Sequence, residues 1–194
     1  MRWRTSYAGF GLIGCMLTLA ILPASNVAAA PGRAASPPDV TALFGRALKL
    51  IRATKPPTYA RAVVYEVDEV TRARRGTKSA SGIVKWRFVF DNYPSRSRFA
   101  SATVSYGPPP KKFGKVTGYR APFLEDRVIS KAPRMTLRQA VTRLQRAGYR
   151  KAFFNVTLRN PLGPRTTKPL YIFGFANGSY VAVNTVTKKV APIS

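Results

Sequence analysis

Two acidic residues are spaced so that they could act together in acid–base chemistry. Glu66 and Asp68 are two positions apart in a segment that alternates apolar and polar residues. Alternation with a period of two places both carboxylates on one face of a β-strand, where they could serve as general acid and base. The next predicted strand carries Lys85 and Arg87 on its polar face. We therefore interpret the two acids as surface partners of these cations rather than as catalytic groups.

The composition excludes most other catalytic chemistry. The sequence contains no histidine, and its single cysteine is Cys15. Without histidine, neither a Ser-His-Asp nor a Cys-His nucleophile system can be assembled, and the commonest transition-metal ligand is missing. The sequence also has no Gly-rich phosphate-binding loop and no Ser-x-x-Lys motif. It therefore predicts a protein that is not an enzyme and that holds no cofactor and no metal ion.

Residues 1–29 have the pattern of a secretory signal peptide. Arg2 and Arg4 are followed by an apolar run over residues 7–22 and by small residues up to Ala30, which predicts cleavage before Ala30. An uncleaved membrane anchor and lipidation of Cys15, which stands in a sequence similar to a bacterial lipobox, are the alternatives. The predicted location is secreted, periplasmic or cell-envelope. A cleaved chain without cysteine favours a bacterial protein.

The chain is strongly basic. It has 33 Lys and Arg residues against 7 Asp and Glu residues, a net charge of +26, and about +24 would remain after cleavage. Such a charge attracts anionic polymers, anionic lipid surfaces and acidic proteins. Nucleic acid is not an expected partner, because an exported protein rarely meets it. Six cations in a predicted hairpin loop and a Pro-rich segment are the candidate anion-binding residues: Arg72, Arg74, Arg75, Lys78, Lys111 and Lys112.

The remainder of the chain is predicted to form two α+β units. A polar tether over residues 30–36 precedes a first unit over 37–106. A Pro-rich connection over 107–134, which could contain short strands, leads to a second unit over 135–194. In each unit a segment of helical periodicity precedes segments that alternate with a period of two. The predicted fold is therefore two tandem units, each a helix packed on a three- to four-stranded antiparallel sheet.

Local signals mark the ends of several elements. Ser36, two prolines and Asp39 predict the start of the first helix, and Thr136 with Gln139 forms a capping-box pattern at the start of the second. The dipeptide Asn177-Gly178 predicts a tight turn between two strands, because it readily adopts positive φ angles.

The two predicted units align with each other. Val67 aligns with Leu158 at an offset of 91 residues, and Phe90 aligns with Phe175 at an offset of 85. The offset changes only at connections, as expected for a duplication with insertions in loops. The sequence therefore predicts an internal repeat in which Phe90 and Phe175 occupy equivalent inward positions.

The second unit resembles the PepSY family over about 55 residues. The family pattern ends in a strand, an Asp, a short turn with Thr-Gly and a closing apolar residue. The segment YVAVNTVTKKV, residues 180–190, follows this outline, with Asn184 for the usual Asp and Lys188 for the usual Gly. The resemblance implies a helix followed by an antiparallel sheet, in a non-catalytic module of the cell envelope. Domains of this family accompany secreted peptidases and are thought to inhibit or regulate them.

The leading functional hypothesis is a secreted, non-catalytic binding or regulatory module that acts on a peptidase or another envelope protein. The alternative is a cationic adhesion module that binds anionic cell-envelope polymers or membrane surfaces. No stable membrane span is expected once the signal peptide is cleaved. The sequence predicts no oligomeric state.

Overall fold

The structure is a computed structural model that describes residues 38–55, 58–70, 75–92, 98–107, 112–123, 126–162 and 168–193. All of these residues belong to one compact unit, Ala35–Ser194. The predicted signal peptide, residues 1–29, and the predicted tether, residues 30–36, lie outside the described residues.

The described chain forms two α-helices, a short 3-10 helix and nine strands. No helix in these ranges is long and apolar enough to cross a membrane. In chain order the elements are α1 Val40–Arg52, β1 Val63–Glu69, the 3-10 helix Ala80–Gly82, β2 Trp86–Asp91, β3 Ser101–Gly107, β4 Lys112–Phe113, β5 Thr117–Tyr119, α2 Leu137–Arg146, β6 Phe153–Arg159, β7 Leu170–Phe175, β8 Tyr180–Asn184 and β9 Val190–Ile193.

The strands belong to one continuous antiparallel sheet. Over the described ranges its order is β4-β3-β2-β1-β6-β7-β8-β9, and β5 also pairs with β3. The prediction of two tandem units, each with a sheet of its own, is therefore wrong. In separate sheets β1 and β6 would each leave a row of backbone N–H and C=O groups unpaired. Pairing of Glu66–Asp68 of β1 with Thr157–Arg159 of β6 satisfies part of these groups and joins the two halves.

The register of this central pair is related to the sequence alignment of the halves. Val67 lies opposite Leu158, Glu66 opposite Arg159, and Asp68 opposite Thr157. With an offset of 91 residues, Val67 corresponds to Leu158, Glu66 to Thr157, and Asp68 to Arg159. Exchanging the two halves therefore leaves the Val67–Leu158 pair in place and turns the Glu66–Arg159 pair into the Thr157–Asp68 pair. A pseudo-twofold relation between the halves would give such a register. The internal repeat stays a prediction, which this register supports.

The alignment of Phe90 with Phe175 does not follow the same register. Phe88 lies opposite Val67 in β1, and Tyr171 lies opposite Leu158 in β6. Phe90 therefore corresponds to Phe173, because both lie two residues further along their strands. Both rings are fully buried, whereas Phe175 is only partly buried.

One hydrophobic core joins both halves of the sheet. Each helix buries one face in it, as its periodicity predicts, although Leu50 of the predicted apolar face of α1 is exposed. The same cluster contains Phe88 and Phe90 from β2 together with Phe173 from β7. The helical members of the core are Val40, Leu43, Phe44, Ala47 and Ile51 of α1 and Leu137, Ala140, Val141 and Leu144 of α2.

The two helices begin next to each other. The N-cap of α1 is Asp39 rather than the predicted Ser36, which lies outside the described residues. Asp39 Oδ1 accepts a hydrogen bond from the Thr41 N–H at 3.0 Å, and its Oδ2 accepts one from the Leu137 N–H of α2 at 2.9 Å. The Thr136–Gln139 capping box is confirmed. One carboxylate therefore satisfies backbone donors at the start of both helices.

The predicted tight turn at Asn177-Gly178 differs in detail from expectation, whereas the connection over 107–134 contains short strands, as expected. Gly178 has a positive φ of 77°, but Asn177 does not, and Phe175 N–H donates to the Ser179 carbonyl across a three-residue loop. The connection over 107–134 contains two short strands, β4 and β5, and both add to β3.

Candidate anion-binding site

The six predicted anion-binding residues are only partly described. Arg72, Arg74 and Lys111 lie outside the described residues. The other three side chains, Arg75, Lys78 and Lys112, are exposed.

The described members of this set lie at two separate places. The Lys78 carbonyl accepts a hydrogen bond from Gln145 Nε2 of α2 at 2.8 Å, next to the bridge between Thr77 and Phe153 at the start of β6. Lys112 lies on β4, and three strands separate β4 from β6 in the sheet. The three described cations therefore do not form one site. As a set of binding residues, the six remain a prediction.

A different set of cations converges on a cleft of about 700 Å³. This cleft, called the basic cleft below, lies between the segment that precedes α2, the side of α2 that carries Gln139 and Arg143, and the turn that joins β8 to β9. Four of its described lining residues are cations and none is acidic. The lining residues are Lys131, Ala132, Pro133, Arg134, Met135, Gln139, Arg143, Pro169, Thr185, Val186 and Lys188.

The segment before α2 is anchored at both ends. Ile129 N–H donates to the Val64 carbonyl of β1 at 2.7 Å, and the Tyr171 hydroxyl donates to the Met135 carbonyl at 3.0 Å. Burial, followed by the charge of Asp39, raises the pKa of Tyr171 well above its ordinary value. The phenol therefore keeps its proton and remains a donor, so that Lys131 and Arg134 project from a fixed backbone.

Helix α2 supplies the second wall. Its first turn is fixed by the capping box, in which Gln139 N–H donates to the Thr136 hydroxyl at 3.2 Å and Thr136 N–H donates to Gln139 Oε1 at 2.9 Å. Arg143 lies one turn further along, and residues four apart share one face of a helix. The guanidinium group of Arg143 is therefore on the same side of α2 as the capping box.

The turn between β8 and β9 supplies the third wall. Asn184 Oδ1 accepts hydrogen bonds from the N–H groups of Val186 and Thr187, both at 2.9 Å. Thr185 fixes the turn to the chain before β7, because its N–H and its hydroxyl donate to the Pro169 carbonyl at 3.1 and 2.7 Å. Lys188 has a φ of 63°, the left-handed region. It is the one residue other than glycine with a positive φ in the described ranges.

The sequence did not predict the basic cleft because its cations belong to three different predicted elements and Lys188 lies far along the chain from the other three. Lys131 and Arg134 fall in the predicted connection, Arg143 on the polar face of α2, and Lys188 in a turn. The only local signal is the Lys131-Ala-Pro-Arg134 run directly before the capping box. The convergence depends on the tertiary structure, which brings the β8–β9 turn beside the start of α2.

The acidic pair on the opposite face of the sheet agrees with the prediction only in part. Asp68 pairs with Arg87, as expected: the Arg87 Nε lies 2.8 Å from Asp68 Oδ2. However, the side chain of Asp68 is only 7% exposed and that of Arg87 is 50% exposed, so the pair joins a buried carboxylate to a half-exposed guanidinium group. Glu66 lies opposite Arg159 of β6 rather than Lys85.

A second ion pair adds a third carboxylate to this face. Arg159 Nε and Nη2 donate to Asp126 Oδ2 and Oδ1 at 2.7 and 3.0 Å, and the side chain of Asp126 is completely buried. Burial, followed by a hydrogen bond to Asp68 and the negative charges of Asp68 and Asp126, raises the pKa of Glu66 to about 8. Arg159 opposes this rise. Glu66 is therefore protonated at neutral pH.

The ordinary pKa of Glu66 is 4.5, and its pKa in the folded protein is about 8. We therefore predict that the protein loses stability as the pH rises through this interval. Over that interval the folded state holds a proton that the unfolded state releases, so stability falls as the pH rises. Glu66→Gln should remove this loss and raise the free energy of unfolding at pH 8.5 by about 1–2 kcal/mol, discounted for partial exposure. Urea unfolding of both proteins at pH 5 and pH 8.5 measures it. Equal pH dependence in the two proteins would contradict the assignment to Glu66.

The arrangement of the acidic groups gives no metal centre. Within the ranges that the structure describes, no three His, Cys, Asp or Glu side chains are grouped so that they could hold a metal ion.

Comparison of the chain with protein-family models, with curated proteins and with solved structures finds no match. The resemblance to PepSY domains therefore remains a prediction based on the segment over residues 180–190 and the elements that precede it.

Proposed function

We propose that the protein is a non-catalytic binding module for anionic partners of the cell envelope and that the basic cleft is its binding site. The observation that carries this proposal is the convergence of Lys131, Arg134, Arg143 and Lys188 on one cleft of about 700 Å³ with no acidic residue among its described lining. A volume of this size is typical of ligand sites. Localisation outside the cytoplasm is part of the proposal and rests on the signal-peptide pattern of residues 1–29.

The rigidity of the cleft walls supports binding at this place rather than over the whole basic surface. The three backbone segments are held before any ligand arrives by the bond that the Tyr171 hydroxyl donates, by the capping box, and by the bonds that Asn184 Oδ1 accepts. A preorganised site loses less conformational entropy on binding than a set of mobile loops. The four cations line one cleft whose described lining has no acidic residue to compensate them, so an anionic ligand there would interact favourably with all four.

A regulatory module acting on a peptidase or another envelope protein is the second candidate. It is supported by the geometry of the β8–β9 turn, where the amide oxygen of Asn184 accepts the two hydrogen bonds that an Asp would accept. Lys188 likewise has the positive φ that a Gly would adopt. Both departures from the PepSY outline are thus compatible with the strand–turn–strand that the outline implies. An acidic surface on such a partner would fit the same cleft.

The proposed function predicts that charge removal in the cleft matters more than charge removal elsewhere. A variant with Lys131→Gln, Arg134→Gln, Arg143→Gln and Lys188→Gln should bind long-chain polyphosphate at least about tenfold more weakly, because the lost contacts are charge-assisted hydrogen bonds. The matched control carries the same change at two lysines and two arginines that are exposed, lie outside the cleft and are not among the six predicted binding residues: Arg61, Lys115, Arg120 and Lys151.

Titration calorimetry at about 50 and 150 mM salt measures both variants. The control should lose less than about threefold in affinity, since dispersed surface charges are screened. Equal losses in the two variants would mean that binding is a property of the net charge, and the proposed site would fail. Circular dichroism of both variants checks that they fold.

A further inference from the structure

The backbone of Lys188 is unusual for a lysine in a turn. Its φ of 63° lies in the left-handed region, which residues with a Cβ atom occupy at a cost that glycine does not have. No other described residue with a side chain adopts such a conformation. A strained residue persists only where its surroundings fix it.

The turn around Lys188 does fix it. Lys188 N–H donates to the Asn184 carbonyl at 3.0 Å, and Asn184 N–H donates to the Lys189 carbonyl at 2.9 Å. With the two bonds that Asn184 Oδ1 accepts, the turn is closed by its own hydrogen bonds. A glycine at this position would close the same turn without strain. A lysine here therefore needs an explanation other than turn stability, and the cleft that its side chain lines offers one.

The charge of the cleft indicates which anions would fit. Lys131 and Lys188 contribute two ammonium groups, and Arg134 and Arg143 contribute two guanidinium groups. One carboxylate would compensate a single one of these charges. A phosphate group carries up to two charges and three strong acceptor oxygens, and the planar guanidinium group binds it through two parallel hydrogen bonds. Neighbouring phosphates can therefore compensate all four cations.

We propose that the basic cleft recognises clustered phosphate groups and that Lys188 is held in its left-handed conformation in order to supply the fourth cation. This inference rests on the proposed function, since it concerns the same cleft. It adds the chemical class of the ligand and assigns a binding role to Lys188. This role explains why a lysine stands where a glycine would make the turn more stable. Free condensed phosphate and a phosphodiester polymer of the cell envelope are two sources of the same chemistry.

The test separates the charge of Lys188 from its backbone conformation. Lys188→Gly and Lys188→Asn both remove the charge and suit a positive φ. Each should raise the melting temperature, by about 2–4 °C for Lys188→Gly, and each should weaken the binding of inorganic tripolyphosphate about fivefold or more. The matched control is Lys189→Gln, which removes an exposed cation from the same turn outside the cleft lining. It should change the affinity by less than about twofold.

Ligand class is tested with citrate and with poly(glycerol phosphate). Tripolyphosphate or the polymer should bind more tightly than citrate. The tighter of the two phosphate ligands identifies the source, free condensed phosphate or a phosphodiester polymer. Citrate binding as tight as both phosphates would overturn the phosphate assignment.

The outcome for Lys188 is separable from the outcome for the proposed function. If Lys188→Gly and Lys189→Gln weaken binding equally, or if neither variant of Lys188 raises the melting temperature, the role of Lys188 is refuted. In that case the fourfold variant of the cleft can still lose its affinity, and the proposed function stands. If the fourfold variant binds as tightly as the original protein, both proposals fail.

Discussion

Phe90→Ala is expected to lower the free energy of unfolding by about 3–5 kcal/mol, the usual cost of removing a fully buried phenyl ring and leaving a cavity. Phe90 is completely buried in the core shared by both helices. Phe173→Ala should cost a similar amount, because Phe173 is also completely buried and contacts the ring of Phe153 edge-on, with centroids 5.0 Å apart. Urea unfolding measures both changes.

Phe175→Ala is the matched control for this pair. Phe175 lies at the end of β7, is partly exposed, and contacts the ring of Tyr149 in a tilted arrangement with centroids 6.3 Å apart. It should therefore cost less than Phe90→Ala, about 1–2 kcal/mol. A loss at Phe175 as large as that at Phe90, together with a small loss at Phe173, would contradict the register of the sheet and favour the alignment of Phe90 with Phe175.

The comparison of Phe173 with Phe175 illustrates what could be predicted from the sequence and what could not. The prediction that Phe175 points inward is correct, because its ring packs against the core, and each helix buries one face as its periodicity predicts. Phe173 and Phe175 are two positions apart and therefore share one face of β7, so alternation alone does not show which of them corresponds to Phe90. The correspondence follows from the pairing of Phe88 with Val67 and of Tyr171 with Leu158, which is a tertiary feature.

Local sequence patterns also do not predict that the two halves share one sheet. Alternation in β1 and β6 predicts that each is a strand, but it does not say which neighbour each strand takes. Pairing between Val67 and Leu158 is a contact between residues 91 positions apart. The basic cleft likewise depends on tertiary contacts, because its cations converge only where the turn between β8 and β9 lies beside α2. Local signals such as the Thr136 capping box were predicted correctly because they depend on residues three positions apart.

Arg159→Met is expected to lower the free energy of unfolding by about 3 kcal/mol at pH 7, because it leaves a buried carboxylate without its partner. The side chain of Asp126 is completely buried, and Arg159 binds it through two hydrogen bonds of 2.7 and 3.0 Å. Arg159 also lies opposite Glu66, whose pKa its charge lowers. Loss of the guanidinium group therefore weakens the centre of the sheet, where the two halves meet.

Two controls isolate the cause of this effect. In the double variant Arg159→Met with Asp126→Asn no unpaired charge remains, so it should recover most of the lost stability. Arg87→Met should cost less than Arg159→Met, because the Arg87 side chain is 50% exposed and water can solvate Asp68 after its removal. Urea unfolding at pH 7 measures all three variants. A double variant no more stable than Arg159→Met would show that the buried charge of Asp126 is not the cause.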